Sequence, residues 1–396
     1  MKVVNALRDL DQAKVITAAA AALATTFGEA VDIRNVRVLS SAERRNLILR
    51  GIAIRDSGQD RSIIIKATRS GAYDPTAADA FDEFGLVREW VATAFLSAQA
   101  PARGHGALFL AGDVQHGVLV FEDLGAELDS LVGPLLHGKS DAAERALMAY
   151  ALALGRLHAD TVTNIVEHGR ALQTCFPAAS RNPPRDNSRL EEIAVQVCNR
   201  IGGAPPRGDV AQIAKRLDEP GIWNGLVHGD PCPDNALLQN SHVRLIDYEF
   251  AGPGHVLLDA AYWRIGFPTC WCAGRIPDPI VARVEAAYRS QLGAVLGSEV
   301  NDTVFHSEMA LMAAVWLLRR LAMHLDTGLK EDRMWGIASI RSRLLWYLDV
   351  TIAMTEAAEV LPEFRSVARA WSAELRTRWP SSGLLSLYPA FVHGSN

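Results

Sequence analysis

Cysteine is scarce in this chain. There are five, Cys175, Cys198, Cys232, Cys270 and Cys272, among 396 residues, an odd count with no framework spacing. That fits free thiols in a reducing cytosol better than a disulfide scaffold. Charge of one sign is also lacking. The formal net charge is −5 and no long Lys/Arg run occurs, so the composition argues against an electrostatic nucleic-acid binder. Long hydrophobic runs are missing too. The most apolar stretch, Met309 to Leu318, stops at Arg319–Arg320 and is too short to span a bilayer. The Ala-rich run Ile16 to Ala24 follows Asp9, Asp11 and Lys14, so it reads as an N-terminal helix rather than a signal-peptide core. There is no internal repeat and no low-complexity tract. A soluble, cytoplasmic protein with no nucleic-acid or membrane partner is expected, its oligomeric state open.

What is present is an ordinary globular balance, 49% hydrophobic and 21% charged, in a chain long enough for two or three domains. The first third is mixed. A helical pattern from about Leu10 to Phe27 precedes two strand-like runs, Arg44 to Ile54 and Ser62 to Ala67. Asp79 to Leu96 reads as a helix with Phe84, Val87, Val91 and Phe95 at helical spacing. Gly117 to Phe121 is a third strand, and the polar break Glu122 to Ala126 follows it. Beyond that break the pattern is mainly helical. Ala143 to Asp160 is one helix, Phe176 to Asp186 and Gly202 to Gly208 are loops, and Ser307 to Leu325 and Glu331 to Ala358 are further helices. Leu226 to Phe250 holds two short apolar runs around a polar motif, a hairpin-like element. The pattern predicts an α+β fold: a small N-terminal part at 1–121, a connector at 122–126 and a larger helical part at 127–396.

The polar motif carries the chemistry. His228, Gly229 and Asp230 are followed by Asn235, then by Asp247 at the end of the apolar run Val243–Ile246, with Glu249 two residues beyond. Phosphoryl transfer needs a carboxylate to orient the attacking hydroxyl and accept its proton, and hard oxygen ligands to hold magnesium against nucleotide phosphates. An aspartate and an asparagine on a short loop, then an aspartate at a strand end, supply these in chain order. A single H-G-D is common in turns; the whole set is much harder to produce from loop and cap chemistry.

These residues, H-G-D-x-x-x-x-N at His228–Asn235 and D-x-E at Asp247–Glu249, resemble the aminoglycoside phosphotransferase and choline kinase-like family, the small-molecule branch of the protein-kinase-like fold. The resemblance implies a bilobal architecture, with an antiparallel sheet in the small lobe and a larger mainly helical lobe. It implies ATP or GTP and Mg2+ as cofactors, and a small-molecule hydroxyl as acceptor: an aminoglycoside, amino sugar, sugar, choline-like amino alcohol or homoserine-like compound. Asp230 is then the catalytic base, Asn235 and Asp247 bind magnesium, and Asp259 in GPGHVLLDAAY braces the catalytic loop together with His228. Glu249 has three readings: an aid to a second metal, a group facing substrate, or a solvated side chain.

On the nucleotide side, Lys66 ends the β-branched run SIIIKAT, where the family places its phosphate-binding lysine, held by a glutamate from the next helix. Glu89 is the candidate partner on a helix that also carries Asp82 and Glu83. In this fold the adenine bonds to the backbone of the connector, so Phe121, Glu122 and Leu124 would border it. Leu39 to Asn46, at the place of the phosphate-covering loop, departs from the pattern because it has no glycine. Cys232 where protein kinases have a lysine, Asp247–Tyr248–Glu249 in place of D-F-G, and the lack of A-P-E all argue against a protein kinase. Trp263 to Pro277 is rich in Trp, Phe, Cys, Gly and Pro. It is a candidate wall of the acceptor site, with Trp263, Arg264 and Trp271 the side chains in question, although any one of these aromatics is more simply a packing residue. Cys270-x-Cys272 lacks the partners of a zinc site. The competing reading is a catalytically silent nucleotide-binding protein with a regulatory role.

Overall fold

The computed structural model describes residues 11–99, 104–181, 189–240 and 242–392. They divide into two compact units, one drawn from 1–128, 166–185 and 244–252, the other from 129–165, 186–243 and 253–396. The division expected at 122–126 took each part as one continuous stretch. The structure differs in returning two later segments to the first unit. Packing explains the first return: Leu172 and Phe176 join the cluster around Phe81, Val87 and Trp90. The second is pinned by hydrogen bonds, since Leu245 donates to the His105 carbonyl at 2.9 Å and Arg244 donates to that of Gly106 at 2.8 Å.

The first unit is built on five antiparallel strands, β1 (Val31–Val38), β2 (Asn46–Arg55), β3 (Arg61–Thr68), β4 (Phe109–Asp113) and β5 (Val118–Glu122), in the order β1-β2-β3-β5-β4. Alternation decides which face each side chain joins. In β3, Ile63, Ile65 and Ala67 join Leu47, Leu49 and Ala53 of β2 beneath the helix Gln12–Phe27, which contributes Val15, Ala19 and Leu23. Ile64 lies on the opposite face, packed toward the helix Gly85–Gln99. Lys66, two residues on, shares that face. The Gln12–Phe27 helix is capped by Asp11, whose carboxylate accepts from the backbone N–H of Ala13 at 3.0 Å, and it ends at Gly28 with φ 71°.

The single helix expected over Asp79–Leu96 is two, Ala80–Glu83 and Gly85–Gln99, broken at Phe84, which is extended at φ −118°. The break brings the Gly85 backbone against Glu249, where an added Cβ would lie 3.0 Å from the Glu249 Cβ. Strands β1 and β4 were not anticipated, since β1 carries four charged or amide side chains among eight residues and β4 is only five long.

The second unit is mainly helical. Ser140–Thr161 packs on Asp278–Leu296, and Asp302–Lys330 packs on Leu257–Ile265 and on Ile340–Ala357, which in turn packs on Pro362–Arg378. Every residue from Met309 to Leu318 is buried, so the most apolar run of the sequence is the middle of a core helix. Among the described residues, no helix is long and apolar enough to cross a membrane. The helix expected from Glu331 begins only at Ile340, because Met334–Trp335 and Ala338–Ser339 form a small hairpin. Its Gly336, at φ 62°, presses on the Trp271 carbonyl, and a Cβ there would sit 1.9 Å from that oxygen.

Candidate functional site

The two units each gather part of the residue set read from the sequence. In the first, Lys66 and Glu89 are both buried, and the Lys66 ammonium lies 2.5 Å from a Glu89 carboxylate oxygen and 2.5 Å from Asp247 Oδ1. Burial opposes the charge on Lys66, but Glu89 and Asp247 more than offset it and raise its pKa. Burial pushes the Glu89 carboxyl up to about 7, with Lys66 pulling it back and Asp247 pushing it further. Asp247 has φ 65°, a left-handed conformation that aspartate tolerates better than most side chains. Its side chain is 37% exposed, so part of the carboxylate is open beside the buried lysine.

Glu249 joins this cluster and is neither solvated nor free. It is buried and ion-paired with Arg45, and burial followed by the Asp247 charge raises its pKa. Arg45 belongs to the glycine-free segment Leu39 to Asn46. That segment is held by side chains instead of by glycine turns. Arg69 donates to the carbonyls of Ser41 at 2.9 Å and Ala42 at 2.5 Å, and Ser40 Oγ accepts from the Ile48 N–H at 3.0 Å. Three carboxylates, Glu89, Asp247 and Glu249, face two cations, Lys66 and Arg45, which leaves a formal surplus of one negative charge.

In the connector, the Glu122 carboxylate is already engaged. One oxygen accepts from the Leu108 N–H at 3.0 Å and from Arg244 at 2.6 Å, and the other lies 3.4 Å from Arg61. The Glu122 backbone N–H is engaged as well, donating to the Leu108 carbonyl at 3.0 Å. Among the described residues, the Leu124 backbone N–H and carbonyl take no hydrogen-bond partner.

In the second unit the loop His228–Asn235 is fixed from several sides. Asp259, fully buried near the start of the helix Leu257–Ile265, accepts from the His228 N–H at 2.6 Å and from the Gly229 N–H at 3.0 Å. His158 lies 3.2 Å from the same carboxylate, with Tyr288 bonded to its other nitrogen at 2.6 Å. His228 is itself buried, and its Nδ1 accepts a 3.4 Å bond from the Asp230 N–H. Tyr150 donates to the Pro231 carbonyl at 2.7 Å and Tyr262 to that of Gly229 at 3.0 Å. Asn235 Nδ2 donates to the Asp230 carbonyl at 3.0 Å. Asp230 is partly exposed, and its Oδ1 accepts a 2.5 Å hydrogen bond from Thr269.

Thr269, Tyr150, Tyr262, His158 and Arg45 were not singled out from the sequence. Only their segments carried a signal: Thr269 lies in Trp263–Pro277 and Arg45 in Leu39–Asn46. The structure corrects the cysteine reading, since Cys232 and Cys270 form a disulfide while Cys175, Cys198 and Cys272 stay free. Spacing gave no hint of the pair, because the fold brings together residues 38 apart. The bonded Cys232 sulfur has no proton to donate, so its 3.2 Å approach to Asp230 Oδ1 is a packing contact. Within Trp263–Pro277, Trp263 is buried against Tyr150 and Tyr288, and Arg264 pairs with Glu285, so both are packing residues. Trp271 is 41% exposed and donates to Asp234 at 3.0 Å. Among the described residues, no group of three His, Cys, Asp or Glu side chains is arranged to hold a metal by itself.

The phosphotransferase enzyme family (APH) matches residues 55–297, more than half of the chain. The chain belongs to that family. The matched span takes in Lys66, Glu89, His228, Asp230, Asn235, Asp247, Glu249 and Asp259. No curated relative matches this sequence. Among solved structures it is similar to a macrolide 2'-phosphotransferase from Brachybacterium faecium, at 16% identity and TM-score 0.45, over 86% of this chain and 96% of that one. It is also similar to a choline kinase from Cryptosporidium parvum Iowa II, at 13% identity and TM-score 0.46, over 85% and 93%. A third likeness is a choline/ethanolamine kinase family protein from Mesorhizobium loti, at 14% identity and TM-score 0.41, over 86% and 93%. These are likenesses alone, and the chemistry of the site rests on its own residues.

Proposed function

We propose that this phosphotransferase moves the terminal phosphoryl group of ATP to a hydroxyl of a small molecule, with magnesium as cofactor. The observation that carries the reading is Lys66 held between Glu89 and Asp247, a buried ammonium kept charged and aimed beside a partly open carboxylate. No packing role requires that arrangement, and phosphate binding does.

The roles follow from the surroundings of each group. Lys66 contacts nucleotide phosphates, and Glu89 keeps it in place. The unpartnered backbone of Leu124 suits the edge of a purine, which needs one donor and one acceptor. Asp247 and Asn235 each offer a hard oxygen suited to magnesium, a cation that takes carboxylate and amide oxygens alongside phosphates and water. The surplus negative charge around Lys66 fits a divalent cation. The metal, when bound, neutralises charge on the phosphates.

Asp230 accepts the proton of the acceptor hydroxyl as that oxygen bonds to phosphorus and the bond to the ADP oxygen breaks, ADP leaving with the electron pair. Thr269 orients the carboxylate by donating to Oδ1. Asp259 holds the two N–H groups that precede Asp230, so the base is positioned before substrate arrives. Release of ADP on addition of a hydroxyl compound, dependent on Mg2+ and on Asp230, tests the proposal. An Asp230→Asn variant with the wild-type rate removes the base from its role.

A further inference from the structure

One buried cation in the second unit is not used by this mechanism. Arg320, on the helix Asp302–Lys330, is only 7% exposed. Among the described residues it forms no ion pair and no hydrogen bond, and its Nε is buried without a partner. Buried guanidinium groups are ordinarily paired with carboxylate or phosphate. One turn further on, His324 Nε2 is likewise buried without a partner. The two orphaned groups follow Trp316 at i+4 and i+8, on one face of the helix.

That face leads to the catalytic loop. The Arg320 guanidinium carbon lies 5.6 Å from the centroid of the Trp316 ring. Trp316 meets Tyr262 edge-on at 4.8 Å, and the Tyr262 hydroxyl donates to the carbonyl of Gly229, next to Asp230. Arg320 is close enough to feel the Asp230 charge, although burial is the larger influence and lowers its pKa. Of the other groups felt there, Tyr262 and Tyr347 raise its pKa and Arg343 lowers it. Arg343 fixes the carbonyls of Cys270 at 2.8 Å and Trp271 at 3.1 Å, and His324 is pushed down to about 4 by burial, then by Arg320, Arg343 and Arg333. A neutral His324 can hydrogen-bond without adding charge. The acidic groups of the same region are spoken for: Asp234 takes the Trp271 N–H, and Asp332 takes the Arg341 N–H.

We infer that Arg320, with His324 beside it, binds an anionic oxygen group of the acceptor, so that the substrate is a small hydroxy acid whose carboxylate sits at Arg320 and whose hydroxyl meets Asp230. This rests on the phosphotransferase reading and sharpens it, because a polycationic amino sugar would face Arg320 and Arg343. The other anion able to satisfy Arg320 is the phosphoryl group in transfer, and kinetics separates the two.

The test measures Mg-ATP turnover by the full chain with matched pairs, D-glycerate against glycerol and L-homoserine against 3-aminopropanol. Turnover is expected with the acids and not with their neutral or cationic partners. Arg320→Gln should raise KM for the acid roughly 30-fold or more, the loss typical of truncating one partner of a buried charge pair. KM for ATP should stay unchanged, and Arg320→Lys should recover part of the loss. Equal loss of kcat with every acceptor and of ATP hydrolysis in Arg320→Gln assigns the anion to the phosphoryl group and overturns the inference. Turnover confined to cationic acceptors overturns it while leaving the phosphotransferase reading intact. No turnover with any hydroxyl compound counts against the phosphotransferase reading itself. Binding is then read by thermal stabilisation: a rise in Tm with D-glycerate or L-homoserine that Arg320→Gln abolishes supports the site, and no rise in folded wild-type protein overturns it. Circular dichroism checks each variant, and Arg320→Lys serves if Arg320→Gln does not fold.

Discussion

In the first unit Lys66 is held by charge: two carboxylates grip it directly, and a third, Glu249, is neutralised by Arg45. In the second unit Asp230 is held by hydrogen bonds. Its loop hangs from Asp259, Tyr150, Tyr262 and Asn235, and its own carboxylate is met by a threonine hydroxyl. The contrast suits the two tasks. A group that binds phosphate must stay cationic while buried, which takes opposing charge. A group that accepts a proton gains from being held in one orientation toward its substrate. Losses in the first region should therefore fall on nucleotide affinity, and losses in the second on turnover and loop integrity.

The largest expected effect lies in the second region. Asp230→Asn keeps the shape of the side chain and its bond to Thr269, so its Tm should be close to wild type while kcat falls by roughly 10²–10⁴. A large drop in Tm would mean that Asp230 is part of the scaffold and would blur the contrast. Asp259→Ala should do the reverse. Orphaning the N–H groups of His228 and Gly229 costs roughly 2–4 kcal/mol, read by denaturant unfolding, because buried donors lose their acceptor. Asp259→Asn, which keeps one acceptor oxygen, should lose less.

The first region offers a pH test that involves no hydrogen bond at all. His168, on the helix Val166–Cys175, is packed between Phe81 and Phe95 with neither ring nitrogen partnered, and burial, then Arg88, pushes its pKa down to about 4. The unfolded chain takes up this proton near pH 6.5 and the folded chain does not. Stability present above that pH is lost as pH falls toward 4, by up to about 3 kcal/mol. His168→Phe should flatten that slope relative to wild type in unfolding curves across pH 4–7, and an unchanged slope removes the assignment.

Lys66→Met should give the smallest effect in free energy. ATP affinity is expected to fall roughly 10–100-fold, the loss of one charge-assisted bond to phosphate. Glu89, deprived of its cation, should then hold its proton to a pH above about 7. Isothermal titration with a non-hydrolysed ATP analogue reads the first change and carboxyl NMR the second. A Lys66→Met variant that lost kcat while keeping nucleotide affinity would break the division of labour between the regions.

Much of the candidate site was readable from local pattern. Lys66 ends a β-branched run, Glu89 lies on a helix of regular spacing, and Asp230, Asn235 and Asp247 fall within a single stretch, so their types and order stand out without a fold. The Gln12–Phe27 helix and strands β2, β3 and β5 were readable for the same reason, because 3.6- and 2-residue periods are local properties. Strand β1 was not, since a half-exposed edge strand rich in charge carries little period.

By itself, then, the amino-acid order determined which chemistry is on offer: a buried-strand lysine, a loop aspartate with its asparagine, and a strand-end aspartate. Tertiary structure alone decided which groups meet. Arg45 reaches Glu249 across 204 positions, Thr269 reaches Asp230 across 39, and Cys232 finds Cys270 instead of staying a free thiol. Arg320 is left buried and unmatched in the same way, which no local pattern could signal. The physical reason is that a periodic pattern assigns a side chain to a face, whereas a partner distant in sequence is set by how whole elements pack, and that depends on the chain at large.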